Sequence, residues 1–256
     1  MTERTQVLSS VRNAARVLKQ FSTREREFGV SELARRLALG KSTVHRLVST
    51  LTAEHLLEQN PENGKYRLGL AVYDLGAAVA THLDLHEAVT PPMERLRNAT
   101  GETVQVAVLD GRQVVYVERL DSPHTLRLFL DVGRRNWAHS TATGKCLLAY
   151  LSGVELDRLL DGWDLVRLTP HTITDPMRLR KELGAIRRQG HATNLSESEV
   201  GVLSVAAPIR NAGGSVAAAM SVAGPAARMD PLLDRITTGV VEAAAIASRR
   251  LGHSRR

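Results

Sequence analysis

The amino-acid sequence predicts an α+β protein in two parts, a small helical N-terminal part and a larger part in which strands and helices interleave. Three observations predict it. Apolar residues recur at three- and four-residue spacing through most of residues 7–53 and again through 70–84. Asn63-Gly64 and Asp110-Gly111 each lie between two short extended runs, as hairpin turns do. Beyond residue 100, runs rich in Val, Ile and Leu alternate with helical stretches, and the hairpins among them argue for antiparallel pairing. A chain of 256 residues is long enough for two such domains.

The elements follow in order. Val7, Leu8, Val11, Ala14, Ala15, Leu18 and Phe21 make one face of an amphipathic helix over 7–21. Phe28-Gly29-Val30 breaks it, and Ser31 is placed to cap a short helix from Glu32 to Ala38. Leu39-Gly40 reads as a tight turn in which glycine supplies the positive φ. A third helix, capped by Ser42 or Thr43, runs to Ala53 with Val44, Leu47, Val48 and Leu51 on one face. Leu56–Gln59 and Lys65–Leu68 then flank Asn60-Pro61-Glu62-Asn63-Gly64 as a hairpin. Residues 70–84 return to helical spacing without proline, and at ~1.5 Å per residue they span about 20 Å, the dimension of a rigid connector.

The remainder predicts a helix over 86–99 and strands at Thr103–Leu109, Val114–Leu120 and Leu126–Leu130. Helices follow at Gly144–Leu151, Val154–Leu160 and Pro176–Gln189, then strands at Leu203–Ile209 and Val216–Val222 and a helix from Pro231 to Arg250. The domains are expected at 1–69, 70–84 (linker helix) and 85–252, with a basic tail at 253–256.

Composition narrows the function classes. Hydrophobic residues at 43% and charged residues at 24% suit a soluble globular protein. No apolar run approaches the ~20 residues that cross a bilayer. The first ten residues lack the charged head and apolar run of a secretory leader, so no membrane partner and a cytoplasmic location are expected. Cys146 is the single cysteine, which excludes an internal disulfide and a multi-cysteine metal site. The net charge of +7 is concentrated at the two ends, around a neutral stretch over 86–248. Basic ends suit a polyanion, though an excess this small fits a solvated surface equally well.

Two short helices joined by a tight turn and followed by a basic hairpin form the plan of a winged helix-turn-helix. The second helix of such a pair enters the major groove, where base edges differ in donors, acceptors and methyl groups. Lys41, Ser42, Thr43, His45, Arg46 and Ser49 are its available polar side chains. Arg35 and Arg36 on the supporting helix, with Lys65 and Arg67 in the wing, read as phosphate contacts, which position a protein without specifying sequence. Gly40-Lys41-Ser42-Thr43 also matches the end of a phosphate-binding P-loop. That motif needs a glycine five positions before Gly40, where Arg35 stands. Gly144-Lys145 fails likewise, with His139 in the glycine's place.

The sequence resembles the isocitrate lyase regulator (IclR) family over nearly all of residues 8–250. The N-terminal marks are Ala14-Ala15-Arg16-Val17-Leu18, Ser31-Glu32-Leu33-Ala34, Gly40 to Leu47, and Tyr66-Arg67-Leu68-Gly69. The C-terminal marks are His139 to Lys145, Ile173-Thr174-Asp175, Gly190-His191-Ala192, Glu197 with Gly201, Ala206-Ala207-Pro208, and Ser221 to Pro225. The resemblance implies a winged helix-turn-helix joined by a linker helix to a GAF-like effector-binding domain. It implies a regulator on operator DNA, a dimer or dimer of dimers, no cofactor, and a small organic acid as effector.

The resemblance places that effector among Thr141, Ala142, Thr143, Asn194, Val202, Ser204, Ser221 and Ala223, with Leu126 and Leu128 on an apolar wall. Asn194 stands where relatives commonly carry an acid, and Ala223 where they carry a second serine. Both departures favour a carboxylate with a larger apolar, aromatic body over a two- or three-carbon acid. Plainer roles stay open: Asn194 as a loop stabiliser, and Ser204 and Ser221 bonded to neighbouring backbone. His139, His191, Glu197 and Glu199 have no dense metal-ligand spacing, and Cys146 reads as a small core residue. Repression relieved by ligand is the expected polarity. The alternatives are an activator of the same family, a ligand-independent DNA architectural protein and an enzyme, which would need a serine motif absent around Ser140 and Ser221.

Overall fold

The computed structural model describes residues 8–22, 25–83, 85–126 and 132–253, with residues 77–83 described by backbone alone. The chain divides into two compact units, one ending at Leu83 and one beginning at Asp84.

In the first unit, helices α1 (Ser9–Leu18), α2 (Val30–Leu37) and α3 (Lys41–Ala53) precede a hairpin of β1 (Leu57–Gln59) and β2 (Tyr66–Leu68), and α4 (Leu70–Leu83) closes it. Val17, Phe28, Leu33, Val44, Val48, Leu57 and Tyr66 form the core. Phe28 and Tyr66 exchange two backbone hydrogen bonds of 3.0 and 2.8 Å, which ties the hairpin to the segment before α2. Gly64 takes φ +67° at the hairpin turn, as the Asn-Gly pair predicts. Gly69 is needed for a different reason. A Cβ there would lie 2.2 Å from the His55 carbonyl oxygen, so only glycine lets the second strand leave so close to the end of α3.

The turn between α2 and α3 differs from the sequence expectation. Ala38, not Gly40, carries the positive φ, at 53°. The Leu39 N–H reaches back 3.0 Å to the Ala34 carbonyl, a Schellman-type closure that forces the preceding residue left-handed. Gly40 is extended at φ −64° and ψ 143°, and the nearest atom to a Cβ there would be Thr43 Oγ1 at 3.9 Å. Neither Ser31 nor Ser42 nor Thr43 caps a helix. Ser31 lies inside α2, and the N-caps are Gly29 and Gly40.

The second unit is built on six strands, β3 (Thr103–Asp110), β4 (Gln113–Leu120), β5 (Arg135–Trp137), β6 (Ala192–Leu195), β7 (Val202–Arg210) and β8 (Val216–Pro225). They form one antiparallel sheet in the order β5-β4-β3-β8-β7-β6. The short strands β5 and β6 have no counterpart in the sequence expectation. The expected strand Leu126–Leu130 lies outside the described residues beyond Leu126, which is in no strand.

Period-two alternation splits the side chains between two faces. Val104, Val106, Val205, Ile209, Met220 and Val222 are buried where α5 (Leu85–Thr100) and the final helix pack. That final helix, α10 (Leu233–Arg250), follows the short α9 (Ala226–Met229). Ala107, Tyr116, Ala192, Ala206 and Ala219 meet α6 (Ala142–Ala149) and α8 (Pro176–Gln189) on the other face, with α7 (Gly153–Leu160) beside them. Pro91 lies inside α5 and has no N–H for the Glu87 carbonyl four residues back. Arg250 Nη2 donates to that carbonyl at 3.0 Å and fastens the end of α10 to α5.

Candidate nucleic-acid interface and ligand pocket

α3 buries Val44, Val48 and Leu51 and turns Lys41, Ser42, Thr43, His45 and Arg46 to solvent. The buried face fixes the helix on its unit, and the polar residues lie on the side left free. Arg35 and Lys65 are also exposed and form no ion pair among the described residues. Arg36 and Arg67 are committed elsewhere. The Arg36 guanidinium bonds Glu25 at 2.5 and 3.0 Å and Glu32 at 3.1 Å, and stands 4.5 Å above the centre of the Phe28 ring. Its hydrogen bond to Glu25 holds that carboxyl below the usual range. Arg67 pairs across the hairpin with Glu58 and approaches Glu27, whose carboxylate accepts from Asn60 (3.0 Å) and Asn63 (2.8 Å) to set the hairpin turn.

The second site lies on the sheet face that α6 covers. Asn194, Ser204 and Ala223 are register partners across β6, β7 and β8. Ser221, two residues from Ala223, pairs with Gln105 on β3, and Gln105 pairs in turn with Arg119 on β4. Five strands thus bring together residues spread over a hundred positions of sequence. Before α6, a 3-10 turn (Ala138–Ser140) delivers Thr141, whose Oγ1 accepts from the Gly144 N–H at 3.1 Å and caps the helix. A Cβ on Gly144 would stand 2.2 Å from the Ala138 carbonyl oxygen, so this glycine permits the close approach of turn and helix. Ala142 and Thr143 are buried at the start of α6, and Thr143 lies near the buried Tyr116 hydroxyl, whose pKa desolvation raises.

Three further polar residues on this face, Gln105, Tyr116 and Arg119, have no place in the sequence expectation. Gln105 is 1% exposed, and its Nε2 has no hydrogen-bond partner among the described residues. A glutamine at an inward position of an otherwise apolar strand is the sequence feature that marks it. Arg119 is mostly buried and pairs with Asp121 at 2.5 Å. Asn194 spends both ends of its amide locally, with Oδ1 accepting from the Glu197 N–H (2.7 Å) and Nδ2 donating to Ser198 Oγ (2.9 Å). Val202 lines an adjacent cavity of about 370 Å³ with Arg134, Ser140, Leu168, Ser198 and Glu199. Leu126 is exposed, and its carbonyl accepts from Arg228 at 2.9 Å. Leu128 lies outside the described residues.

Comparison with known proteins covers both units. The model described as the IclR helix-turn-helix domain matches residues 10–61, and that described as the bacterial transcriptional regulator IclR C-terminal matches residues 77–249. The chain belongs to the IclR family. The Escherichia coli regulator XynR is 34% identical over 96% of this chain and 98% of its own length. The E. coli regulator KdgR is 36% identical over 80% of this chain and 78% of its own. A crystal structure of an IclR homologue from Microbacterium hydrocarbonoxydans, complexed with 4-hydroxybenzoate, superimposes with a TM-score of 0.84. Its sequence is 30% identical, over 95% of this chain and 99% of that one.

Within this IclR-family regulator, the remaining charged groups near the pocket serve the scaffold. Lys145, 1% exposed, donates to Glu197 at 2.5 Å and Glu182 at 3.3 Å. Burial pushes the Glu197 carboxyl up even so, and its backbone carbonyl accepts from Thr172 at 2.7 Å. His139 bonds the Val166 carbonyl at 3.0 Å and meets the Trp163 ring edge-on. Burial raises the Cys146 thiol to about 12, which leaves it unreactive. Among the described residues, no group of three His, Cys, Asp or Glu side chains is placed to hold a metal ion.

Proposed function

We propose that this regulator represses a catabolic operon and is released from its operator by a small organic carboxylate with an apolar, aromatic body. The observation that carries the reading is the chemistry of the inner sheet face. Gln105, Thr143, Ser204 and Ser221 offer amide and hydroxyl donors there, and Lys145 and Arg119 stand paired with one carboxylate oxygen each of Glu197 and Asp121. A face rich in amide and hydroxyl donors suits an anion. The 4-hydroxybenzoate held by the Microbacterium homologue supports the same class. On this reading Thr141, Ala142, Val202, Ala223, Leu126 and Leu128 complete the pocket, Asn194 shapes its rim, and the acid is bound without turnover.

Residues 1–69 read DNA, 70–84 link, 85–252 bind effector and 253–256 form a basic tail. Lys41, Ser42, Thr43, His45 and Arg46 meet base edges and nearby phosphates, while Arg35 and Lys65 meet the backbone. Arg36 and Arg67 brace the interface. The protein acts in the cytoplasm as a homodimer or dimer of dimers, because α4 exposes Leu70 and Tyr73, three residues apart on one face, at 79 and 74%, and a second copy would cover that face. Effector shifts DNA occupancy by its difference in affinity between the two arrangements of the dimer. Footprinting upstream of neighbouring genes, with and without candidate acids, tests the whole reading. Loss of protection on adding a benzoate-type acid is the expected result. Tight calorimetric binding of glyoxylate or pyruvate, with none of benzoate-type acids, overturns it.

A further inference from the structure

Buried polar groups in folded proteins are nearly always hydrogen-bonded, because an unmet donor forfeits its water without compensation. Gln105 Nε2 breaks that rule. Gln105 lies on the α6 face of the sheet, flanked in register by Ser221 on one side and Arg119 on the other. Next along β3 on that face is Ala107, whose register partner Tyr116 brings its hydroxyl near Thr143. An unmet amide therefore lies beside the buried Ser221, with the Thr143 hydroxyl of α6 over the same face. The amide can donate, and its cross-strand neighbour Arg119 is paired with Asp121.

We propose that the Gln105 side-chain amide donates directly to the effector carboxylate, in a cradle completed by the hydroxyls of Thr143 and Ser221. Gln105 is then a specificity-determining residue that favours an acid over its neutral amide, because hydrogen bonds to a charged acceptor are about twice as strong as neutral ones. The inference rests on the effector-pocket reading given above.

The test uses the full-length protein and two variants, Gln105→Met and Gln105→Glu. Methionine matches glutamine in length and removes the unmet donor. Without ligand, Gln105→Met is expected to raise the thermal midpoint by roughly 2–4 °C. A fall in the midpoint would mean that Gln105 holds the fold together and overturns the proposal. Calorimetry then compares benzoate, 4-hydroxybenzoate and phenylacetate with their neutral amides. Gln105→Met is expected to weaken the acids about tenfold or more and the amides less. Gln105→Glu, which sets a negative charge against the carboxylate, is expected to weaken the acids further and the amides little. Acids bound equally well by wild type and Gln105→Met overturn the role of Gln105 and leave the pocket reading intact. Wild-type indifference to every acid overturns the pocket reading itself, and Gln105 with it.

Discussion

Single side chains separate into those that hold the scaffold and those left to act. His139 belongs to the first group. Burial keeps its pKa below the usual value, so the folded state binds this proton less readily than the unfolded chain. The stability it contributes is present above about pH 6.5 and lost as pH falls through the depressed folded value. The thermal midpoint is therefore expected to fall from pH 7.5 to pH 5.5. His139→Phe, with no proton to gain, should show a shallower fall from a lower starting point, and parallel pH curves would contradict this. Arg46 and Arg36 form a second contrast. Arg46→Ala should weaken operator binding by about 1–3 kcal/mol and relax specificity at one base pair, or lower the salt slope by about one if it meets a phosphate. Arg36→Ala should lower the thermal midpoint and leave the salt slope unchanged, because its guanidinium is spent on Glu25, Glu32 and Phe28. Fluorescence anisotropy over a salt series separates the two.

At the scale of elements, α6 is the part with the least freedom. All eight of its residues are buried, and it carries a lysine through the middle of that packing. Removing the ammonium while its partner stays leaves an unpaired buried carboxylate. Lys145→Met should cost about 3–5 kcal/mol, and Lys145→Met with Glu197→Gln should recover much of it. Urea unfolding measures both, and a double variant no better than the single would refute the coupling. Gly144→Ala, with its Cβ set 2.2 Å from a carbonyl oxygen, should destabilise by about 3 kcal/mol or more.

Elements also show how far local pattern reaches. The long helices, the two hairpins and Pro176–Gln189 were legible because apolar period and turn chemistry are local. β5 and β6, at three and four residues, hold too few alternations to stand out. The positive φ at Ala38 was equally hidden, because it is imposed by how α2 closes and not by the residue's own preference.

For the whole molecule, the proposed association of two copies through Leu70 and Tyr73 of α4 is the property to test. Tyr73→Glu with Leu70→Glu should shift sedimentation toward monomer at micromolar concentration and weaken operator binding in parallel, since half-site pairing needs two copies. Unchanged sedimentation would place the contact elsewhere.

Periodicity and short motifs, which neighbouring residues encode, were enough for the order of the long elements, the family and the polar face of α3, and the family resemblance supplied the segments proposed to form the pocket. Which of these side chains are free is a property of the folded chain alone. Folding spends Arg36, Arg67 and Asn194 on braces, and sets Gln105 beside Ser221 with a donor unmet. Hydrogen-bond partners come from strands and loops far away in sequence, so whether a polar group is satisfied exists only once the chain has folded.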